Sequence, residues 1–273
     1  MSNATSEPPR KPPNRRRRKL LAAGVTVLAL LGVGLALTGT ANAIGDGVPV
    51  LDNQYPFAVK LTFTGIPDGN GGTRDSACSG GLLTARWLLT AGHCNRTPDG
   101  TRVNYPVAAA ITATLGCSAV PGPQCQTRSV VAVIQDPSRD LALFKLDAPV
   151  TRVPKLTLAT QPPTPGTVLT VAGWGALNDV DPQPQNQLYS AALRLVGTDD
   201  TRLALLPFAP SPDSRPCLYD SGAPYFLATE PGTFTVYGVE NTGPACLQGT
   251  GFEVAARTDN ILDFVTKNID YPG

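Results

Sequence analysis

The chain has 273 residues, with 22 basic and 21 acidic side chains, one histidine and six cysteines. Its first 43 residues hold seven basic residues and one acid, so 15 basic and 20 acidic residues remain after them, a net charge of −5. A mildly acidic chain of this kind argues against nucleic acids and anionic membranes as partners.

Residues 1–43 have the layout of a secretory signal peptide. A basic cluster (Arg10–Lys19) precedes an apolar stretch (Leu20–Leu37), and Ala41-Asn42-Ala43 forms a small-x-small cleavage site. We therefore predict a secreted, extracellular protein whose mature chain starts at Ile44. Arg17-Arg18 loosely matches a twin-arginine signal, so Sec and Tat export both stay open. The apolar stretch is about long enough to span a bilayer, which leaves an uncleaved membrane anchor as an alternative.

Short runs rich in Val, Leu, Thr and Ala recur along the rest of the chain, separated by Gly, Pro, Asn and Asp. This pattern is typical of a sandwich or barrel and not of alternating strands and helices. In chain order, the predicted strands are Phe57–Phe63, Gly81–Thr90, Val107–Leu115, Ser129–Ile134, Leu141–Leu146, Val168–Ala172, Leu188–Val196, Arg202–Leu206 and Thr233–Val239.

Two segments depart from this strand pattern. The proline-rich stretch Pro149–Gly166 resists regular structure and predicts a crossover between two halves of the chain. Near the C-terminus, apolar residues from Ile261 to Ile269 recur at helical spacing, and Thr258 precedes them as a plausible N-cap. The sequence therefore predicts an all-β protein with one C-terminal helix.

The six cysteines all follow the predicted signal peptide. An even number of cysteines in an exported chain predicts three disulfides. Local spacing favours Cys78–Cys94, Cys117–Cys125 and Cys217–Cys246, while sequence alone leaves other pairings open. A single histidine and the lack of a Cys-x-x-Cys pair argue against a structural zinc site. We predict neither a metal nor a cofactor.

Three side chains suit nucleophilic catalysis. His93 is the one histidine and therefore the one ordinary base near neutral pH. Asp140 heads an apolar run, and Ser221 lies in a turn of small residues after Cys217. An unactivated serine needs a base, and the base needs a group that orients it. We predict that His93 deprotonates Ser221 and that Asp140 holds the imidazole.

The order of these residues along the chain separates two classes of hydrolase. α/β-Hydrolases run serine, acid, histidine, and no histidine follows Ser221 here. The order His93, Asp140, Ser221 excludes that class. In the same scheme, the backbone N–H groups of Tyr219 and Ser221 face the developing oxyanion.

These motifs together resemble those of the chymotrypsin-like (trypsin-like) secreted serine proteases. Thr90-Ala91-Gly92-His93-Cys94 is similar to the histidine box of that family, and Asp140-Leu141-Ala142-Leu143 is similar to its aspartate strand. Asp220-Ser221-Gly222, followed by Pro224, resembles the serine loop. Val171-Ala172-Gly173-Trp174-Gly175 resembles a turn that opens the second barrel. Cys78–Cys94 and Cys217–Cys246 fit two disulfides of the family, with Cys117–Cys125 as a local addition.

The resemblance implies a fold and an activity. It implies two six-stranded antiparallel Greek-key barrels packed together, with the active site between them and a C-terminal helix. We expect the first barrel in residues 44–150, the second in 151–257, and the helix and tail in 258–273. The implied function is that of a monomeric serine endopeptidase acting on protein or peptide substrates through an acyl-enzyme.

The resemblance also implies how the enzyme becomes active. Family members expose a new amine at an isoleucine, and this amine folds inward to pair with the aspartate before the serine. Ile44 follows the predicted cleavage site directly, so signal removal would free its amine to meet Asp220. One extra residue before Ile44 should therefore sharply reduce activity.

The chain also departs from the family at several positions. Tyr219 stands where the family has an oxyanion-hole glycine, and Ala223 replaces a second glycine. A tyrosine ring there would crowd the leaving-group side, and a flipped peptide would lose one donor. These changes leave open a rival function, a weakly active or silent homologue that acts as a secreted binding protein.

The predicted substrate pocket carries further departures. Depending on loop length, Glu240-Asn241-Thr242 or Asn241-Thr242-Gly243 replaces the Ser-Trp-Gly segment that pairs with substrate. Arg215 falls where trypsins carry the aspartate that selects basic side chains. We therefore expect no preference for Arg or Lys at the cleaved bond. An Arg215 side chain at the floor of the pocket would favour acidic residues there, and a side chain that points into solvent is the alternative.

Overall fold

A computed structural model describes Met1, residues 44–247 and residues 249–272. The predicted signal peptide, with its cleavage site and apolar stretch, falls outside these ranges apart from Met1. None of the helices within the described ranges is long and apolar enough to cross a membrane. The described chain forms two closed six-stranded antiparallel barrels and a short C-terminal helix, so the predicted fold class is confirmed.

The first barrel is built from six consecutive strands. They are β2 (Ala58–Pro67), β3 (Thr73–Thr84), β4 (Trp87–Thr90), β5 (Ala110–Leu115), β6 (Gln126–Gln135) and β7 (Ala142–Leu146). The closed order is β2-β3-β4-β7-β6-β5. Along β2 the side chains of Val59, Leu61 and Phe63 are buried and alternate with Lys60 and Thr62, which are more exposed, as a half-buried pleated strand requires. The short strand β1 (Val48–Pro49) precedes these six and pairs with a strand of the second barrel.

The second barrel closes in the order β9-β10-β11-β14-β13-β12. β1 pairs with β10, and β8 adds to β13 in parallel. The helix α1 spans Leu262–Asn268. The strands of this half are β8 (Leu156–Leu158), β9 (Val168–Gly173), β10 (Tyr189–Thr198), β11 (Arg202–Ala209), β12 (Pro224–Glu230), β13 (Thr233–Thr242) and β14 (Glu253–Arg257).

Two buried clusters stabilise the molecule. One fills the first barrel and continues through Phe226 and Phe234 of the second barrel to the helix residue Val265. The ring of Phe57 lies 4.9 Å from that of Phe226 and 4.6 Å from that of Phe234, centroid to centroid. The other cluster fills the second barrel and includes Ile44. The first cluster therefore extends across both barrels, while the second lies within the second barrel.

Some predicted elements differ from the structure. The predicted strand Gly81–Thr90 is wrong as a single element, because Ala85 and Arg86 turn the chain between β3 and β4. The proline-rich crossover contains the short strand β8. The strands β12 and β14 were not predicted, since each begins beside a loop of small and polar residues that masks its alternation.

The predicted helix cap at Thr258 is also wrong. Its N–H donates to the carbonyl of Tyr237 and its hydroxyl to the carbonyl of Val236, so the residue continues the pairing with β13. The helix instead starts after Ile261, which makes no side-chain cap hydrogen bond.

Three disulfides cross-link the described chain. They join Cys78 to Cys94, Cys117 to Cys125 and Cys217 to Cys246, the pairings that local spacing favours. The first ties the segment after β4 to β3, and the third closes the loop that carries Ser221. Both therefore hold segments that carry predicted catalytic residues.

Candidate active site

Strand register brings His93 and Asp140 together. β4 pairs with β7 so that Thr90 lies opposite Ala142, and both candidate residues flank this pair. His93 sits in a single 3-10 turn, Gly92–Cys94, directly after β4. The imidazole Nδ1 lies 2.7 Å from Oδ2 of Asp140, and the backbone N–H of His93 donates to Oδ1 at 2.7 Å. The carboxylate therefore fixes both the ring and the backbone of His93.

The surroundings keep Asp140 ionised. Burial acts to raise the pKa of its carboxyl, but the hydrogen bonds and charge of His93, with Arg102 at 3.9 Å, outweigh burial and hold the pKa below its usual value. With the amide of Asn241 turned so that its nitrogen faces Asp140, this nitrogen donates to the backbone carbonyl of Asp140 at 3.0 Å. A Cβ at Gly92 would lie 2.9 Å from Oδ1 of Asp140, so a larger residue there would push against the carboxylate that holds His93.

The Ser221 loop docks onto the first barrel. The N–H of Ser79 in β3 donates to the carbonyl of Ser221 at 2.8 Å. Gly222 has a φ of +90°, and a Cβ there would lie 2.1 Å from the Ser79 carbonyl, so the close approach requires glycine. Ser221 and His93 line one cavity of about 320 Å³. Among the hydrogen bonds of the described residues, none joins the Ser221 hydroxyl to the imidazole.

Tyr219 adopts a backbone conformation that usually requires glycine. Its φ is +75°, in the left-handed region. Its carbonyl accepts a hydrogen bond from the Ser79 hydroxyl at 3.2 Å, which ties the loop down. Within the described ranges, the backbone N–H groups of Tyr219 and Ser221 donate to no protein acceptor. Both N–H groups are therefore available to a bound group, and Tyr219 lines the cavity shared by His93 and Ser221.

Asp220 is fully buried beside Ile44. Its carboxylate accepts backbone N–H groups from Gly175 at 2.7 Å, from Cys217 at 2.9 Å and from Ile44. Burial raises the pKa of Asp220 to about 7, and these three N–H groups offset burial only in part. In the uncut chain Ile44 offers a neutral amide, so the carboxylate lacks the cation that a free amine would supply.

A third predicted set of residues surrounds a cavity of about 260 Å³ beside Ser221. Glu240, Asn241, Thr242 and Gly243 all line it, and their role in binding substrate stays a prediction. Arg215 is not among its described lining residues. The arginine is buried and its guanidinium lies 3.2 Å from Oε1 of Glu253, so the interpretation of a side chain in solvent is wrong. That the enzyme does not prefer Arg or Lys at the cleaved bond stays a prediction. Arg215 does not line this cavity, so its charge does not support that prediction.

Glu253 and Tyr225 belong to a buried cluster around Glu240, and neither was predicted from the sequence. Glu253 lines the cavity, and its Oε2 has no partner in the described chain. The Tyr225 hydroxyl donates to Oε2 of Glu240 at 2.6 Å. Burial, reinforced by repulsion between the two carboxylates, raises the pKa of Glu240; burial and the charge of Asp220 raise that of Glu253 despite Arg215. A lone acid in the apolar run Phe252–Ala256 was the available signal for Glu253.

Comparison with known proteins gives consistent matches. A family model described as Trypsin matches residues 44–265. Serine protease 56 of Homo sapiens is 31% identical over 237 residues, covering 77% of this chain and 36% of that protein. Trypsin 5G1 of Aedes aegypti is 27% identical over 254 residues, covering 84% and 86%. Snake venom serine proteinase 5 of Crotalus adamanteus is 25% identical over 215 residues, covering 70% and 78%.

Solved structures give the same fold. The mouse brain serine protease neuropsin superposes with a TM-score of 0.64 and 19% sequence identity. The match covers 82% of this chain and 99% of that one. At this identity the likeness bears on the fold alone.

Proposed function

The chain belongs to the trypsin family of serine proteases, and from that premise we propose that it is an active, exported serine endopeptidase. The observation that carries the proposal is the 2.7 Å contact between the His93 imidazole and the Asp140 carboxylate. His93 lines the same cavity as Ser221. The substrate is a protein or peptide, and the bond cleaved is an amide.

The proposed reaction begins when the Ser221 hydroxyl attacks the substrate carbonyl. Nε2 of His93 takes the hydroxyl proton, and Asp140 stabilises the imidazolium through Nδ1–H. The oxyanion of the tetrahedral intermediate accepts hydrogen bonds from the free N–H groups of Tyr219 and Ser221. His93 then protonates the leaving amine, which yields the acyl-enzyme. Water, deprotonated by His93, attacks the acyl-enzyme and regenerates the Ser221 hydroxyl.

Activation is proposed to follow signal removal. Ile44 is already buried with its backbone N–H on the Asp220 carboxylate. Cleavage after Ala43 would turn this amide into an ammonium facing a buried carboxylate, which repays the burial of Asp220. Export is supported by the layout of residues 1–43 and by the three disulfides. The alternative of an uncleaved anchor is tested by sequencing the N-terminus of the mature protein, which should begin at Ile44.

One observation favours a second candidate function, a secreted binding protein with a silent site. Tyr219 combines the left-handed backbone with a position in the cavity shared by His93 and Ser221, where its bulk limits access. In this case the fold and the pair of His93 and Asp140 would persist without turnover.

Hydrolysis separates the two candidates. Protein beginning at Ile44 is incubated with a mixed peptide library, and new termini are counted by mass spectrometry. The proposal expects turnover that falls by about 10⁶-fold in Ser221→Ala and in His93→Ala. Cleavage of no peptide, or cleavage that survives Ser221→Ala, would refute an endopeptidase that acts through Ser221.

A further inference from the structure

A second cavity lies on the other side of His93 and concentrates positive charge. It measures about 600 Å³ and is the larger of the two cavities that His93 lines. Four of its lining residues are arginines, while Asp140 is its one lining carboxylate within the described ranges. This is unexpected in a chain whose residues after position 43 carry a net charge of −5. The lining arginines are Arg96, Arg102, Arg139 and Arg202.

Two of these arginines are largely committed to the protein. Arg139 lies 3.6 Å from the Asp136 carboxylate and donates to the carbonyl of Arg257 and to Oδ1 of Asn260. Arg102 donates to the carbonyl of Arg139 and approaches Asp140, which His93 already occupies. Their charges are partly offset by these carboxylates, so they hold the base of the cavity in place.

The other two arginines remain available. Arg96 is exposed and has no ion-pair partner in the described chain. Within the described ranges, Arg202 has one ion pair, with Asp199 at 3.9 Å, and both side chains are well exposed, at 66% and 59%. An exposed pair at that distance contributes little and exchanges readily for a better-placed anion. The cavity therefore offers two guanidinium groups that lack a strong partner.

The position of the cavity relates it to the bond that would be cut. Asn241 and Thr242, at the end of β13, line both this cavity and the one beside Ser221. β13 pairs with β12 only as far as Val239, so its edge at these two residues is open to another strand. An extended peptide along this edge would pass the arginines before it reaches Ser221. Its residues in the arginine cavity therefore precede the cleaved bond.

Resting on the proposed function, we propose that this cavity selects substrates with an acidic side chain, Asp or Glu, shortly before the cleaved bond. Guanidinium groups bind carboxylates through paired, charge-assisted hydrogen bonds. Arg202 and Arg96 would bind the carboxylate, and their positive charge would favour it over an amide of the same shape.

Matched peptides test the charge preference. Each pair carries Glu or Gln at one of the four positions before the same cleaved bond. We expect kcat/KM to favour Glu by about two- to fivefold at one position, as exposed ion pairs allow. This ratio should fall as salt rises, because a Debye length of about 30 Å at 0.01 M shortens to about 10 Å at 0.1 M. Equal rates at all four positions, or a preference for Gln, would overturn the inference.

Charge reversal identifies the arginine responsible. Arg202→Glu and Arg96→Glu should reduce the preference for Glu, and the double variant should favour Lys at the same position. Arg194→Glu is the matched control, because Arg194 is exposed on β10 and stacks on Phe208 instead of lining a described cavity. An unchanged Glu to Gln ratio in the double variant would overturn the inference, since a merely structural role cannot reverse a charge preference.

Peptide binding to Ser221→Ala separates this inference from the proposed function. Fluorescence anisotropy compares labelled Glu and Gln peptides on a protein that cannot turn them over. Tighter binding of the Glu peptide by this variant, without hydrolysis by the unchanged protein, would support selection of acidic peptides by the arginine cavity and refute the protease. Hydrolysis with equal binding and equal rates for both peptides would refute only the selection of acidic peptides.

Discussion

Tyr219 is a bulky residue at the position where the family resemblance implies a glycine. Its φ of +75° places a bulky side chain in a region where steric clash costs about 1–2 kcal/mol. The loop holds this conformation through the hydrogen bond from Ser79 to its carbonyl and through the buried carboxylate of Asp220. The strain is therefore imposed by the neighbouring structure.

Replacing Tyr219 separates its backbone from its ring. We expect Tyr219→Gly to be more stable than Tyr219→Ala by about 1 kcal/mol in urea unfolding, because only glycine adopts this φ without strain. Both variants should cleave peptides with a bulky residue after the bond faster than the unchanged protein does, because both remove the ring. Equal stability of the two variants would contradict the strain argument.

At the scale of elements, the chain segment that starts at Ile44 connects activation to the buried acid Asp220. With a peptide bond before Ile44, the Asp220 carboxyl has a pKa of about 7, above its ordinary 3.8. Between these values the folded state binds more protons than the unfolded state, so stability falls as pH rises from about 4 to 7. A free amine at Ile44 supplies a positive charge and removes this penalty.

A chain extended by Ala43 tests this link. We expect it to lose most hydrolytic activity and to unfold more easily at pH 8 than the chain beginning at Ile44, by roughly 3–5 kcal/mol. The gap should shrink towards pH 4, because Asp220 of the extended chain is then protonated and no longer a buried, uncompensated charge. Asp220→Asn in the extended chain is the control and should remove its additional pH dependence. Full activity of the extended chain would exclude the inserted terminus.

At the scale of elements, the sequence reveals the sites better than the strands that carry them. His93, Asp140 and Ser221 stand out because each needs small or apolar neighbours in a short segment. The position of the Arg215 side chain was harder to predict, because its partner Glu253 lies 38 residues away in the sequence. Only the pairing of β13 with β14 places that acid beside the cavity. Long-range pairing of this kind leaves no local signature.

At the scale of the whole molecule, the site depends on the contact between the two barrels. His93 and Asp140 belong to the first barrel and Ser221 to the loop before β12 of the second. The aromatic contacts of Phe57 with Phe226 and Phe234 join the barrels through one core. The sequence predicted two barrels through family resemblance, but the ring contacts that join them needed coordinates.

Truncating this contact should affect both barrels together. We expect Phe226→Ala to lower the free energy of unfolding by about 3–5 kcal/mol in a single transition, because it removes a fully buried ring. Phe208→Ala is the control, because Phe208 is 46% exposed, and should cost far less. Unfolding in urea is monitored by tryptophan fluorescence. Two separate transitions would show that the two barrels do not unfold as one unit.

Everything proposed for the site depends on whether His93 activates the Ser221 hydroxyl. The most direct measurement is the stoichiometry of Ser221 labelling by an organophosphonate, mapped by mass spectrometry on protein beginning at Ile44. We predict one label per molecule, on Ser221, and none in His93→Ala. An unlabelled protein, or labelling of Ser221 that persists at the same rate in His93→Ala, would contradict the account.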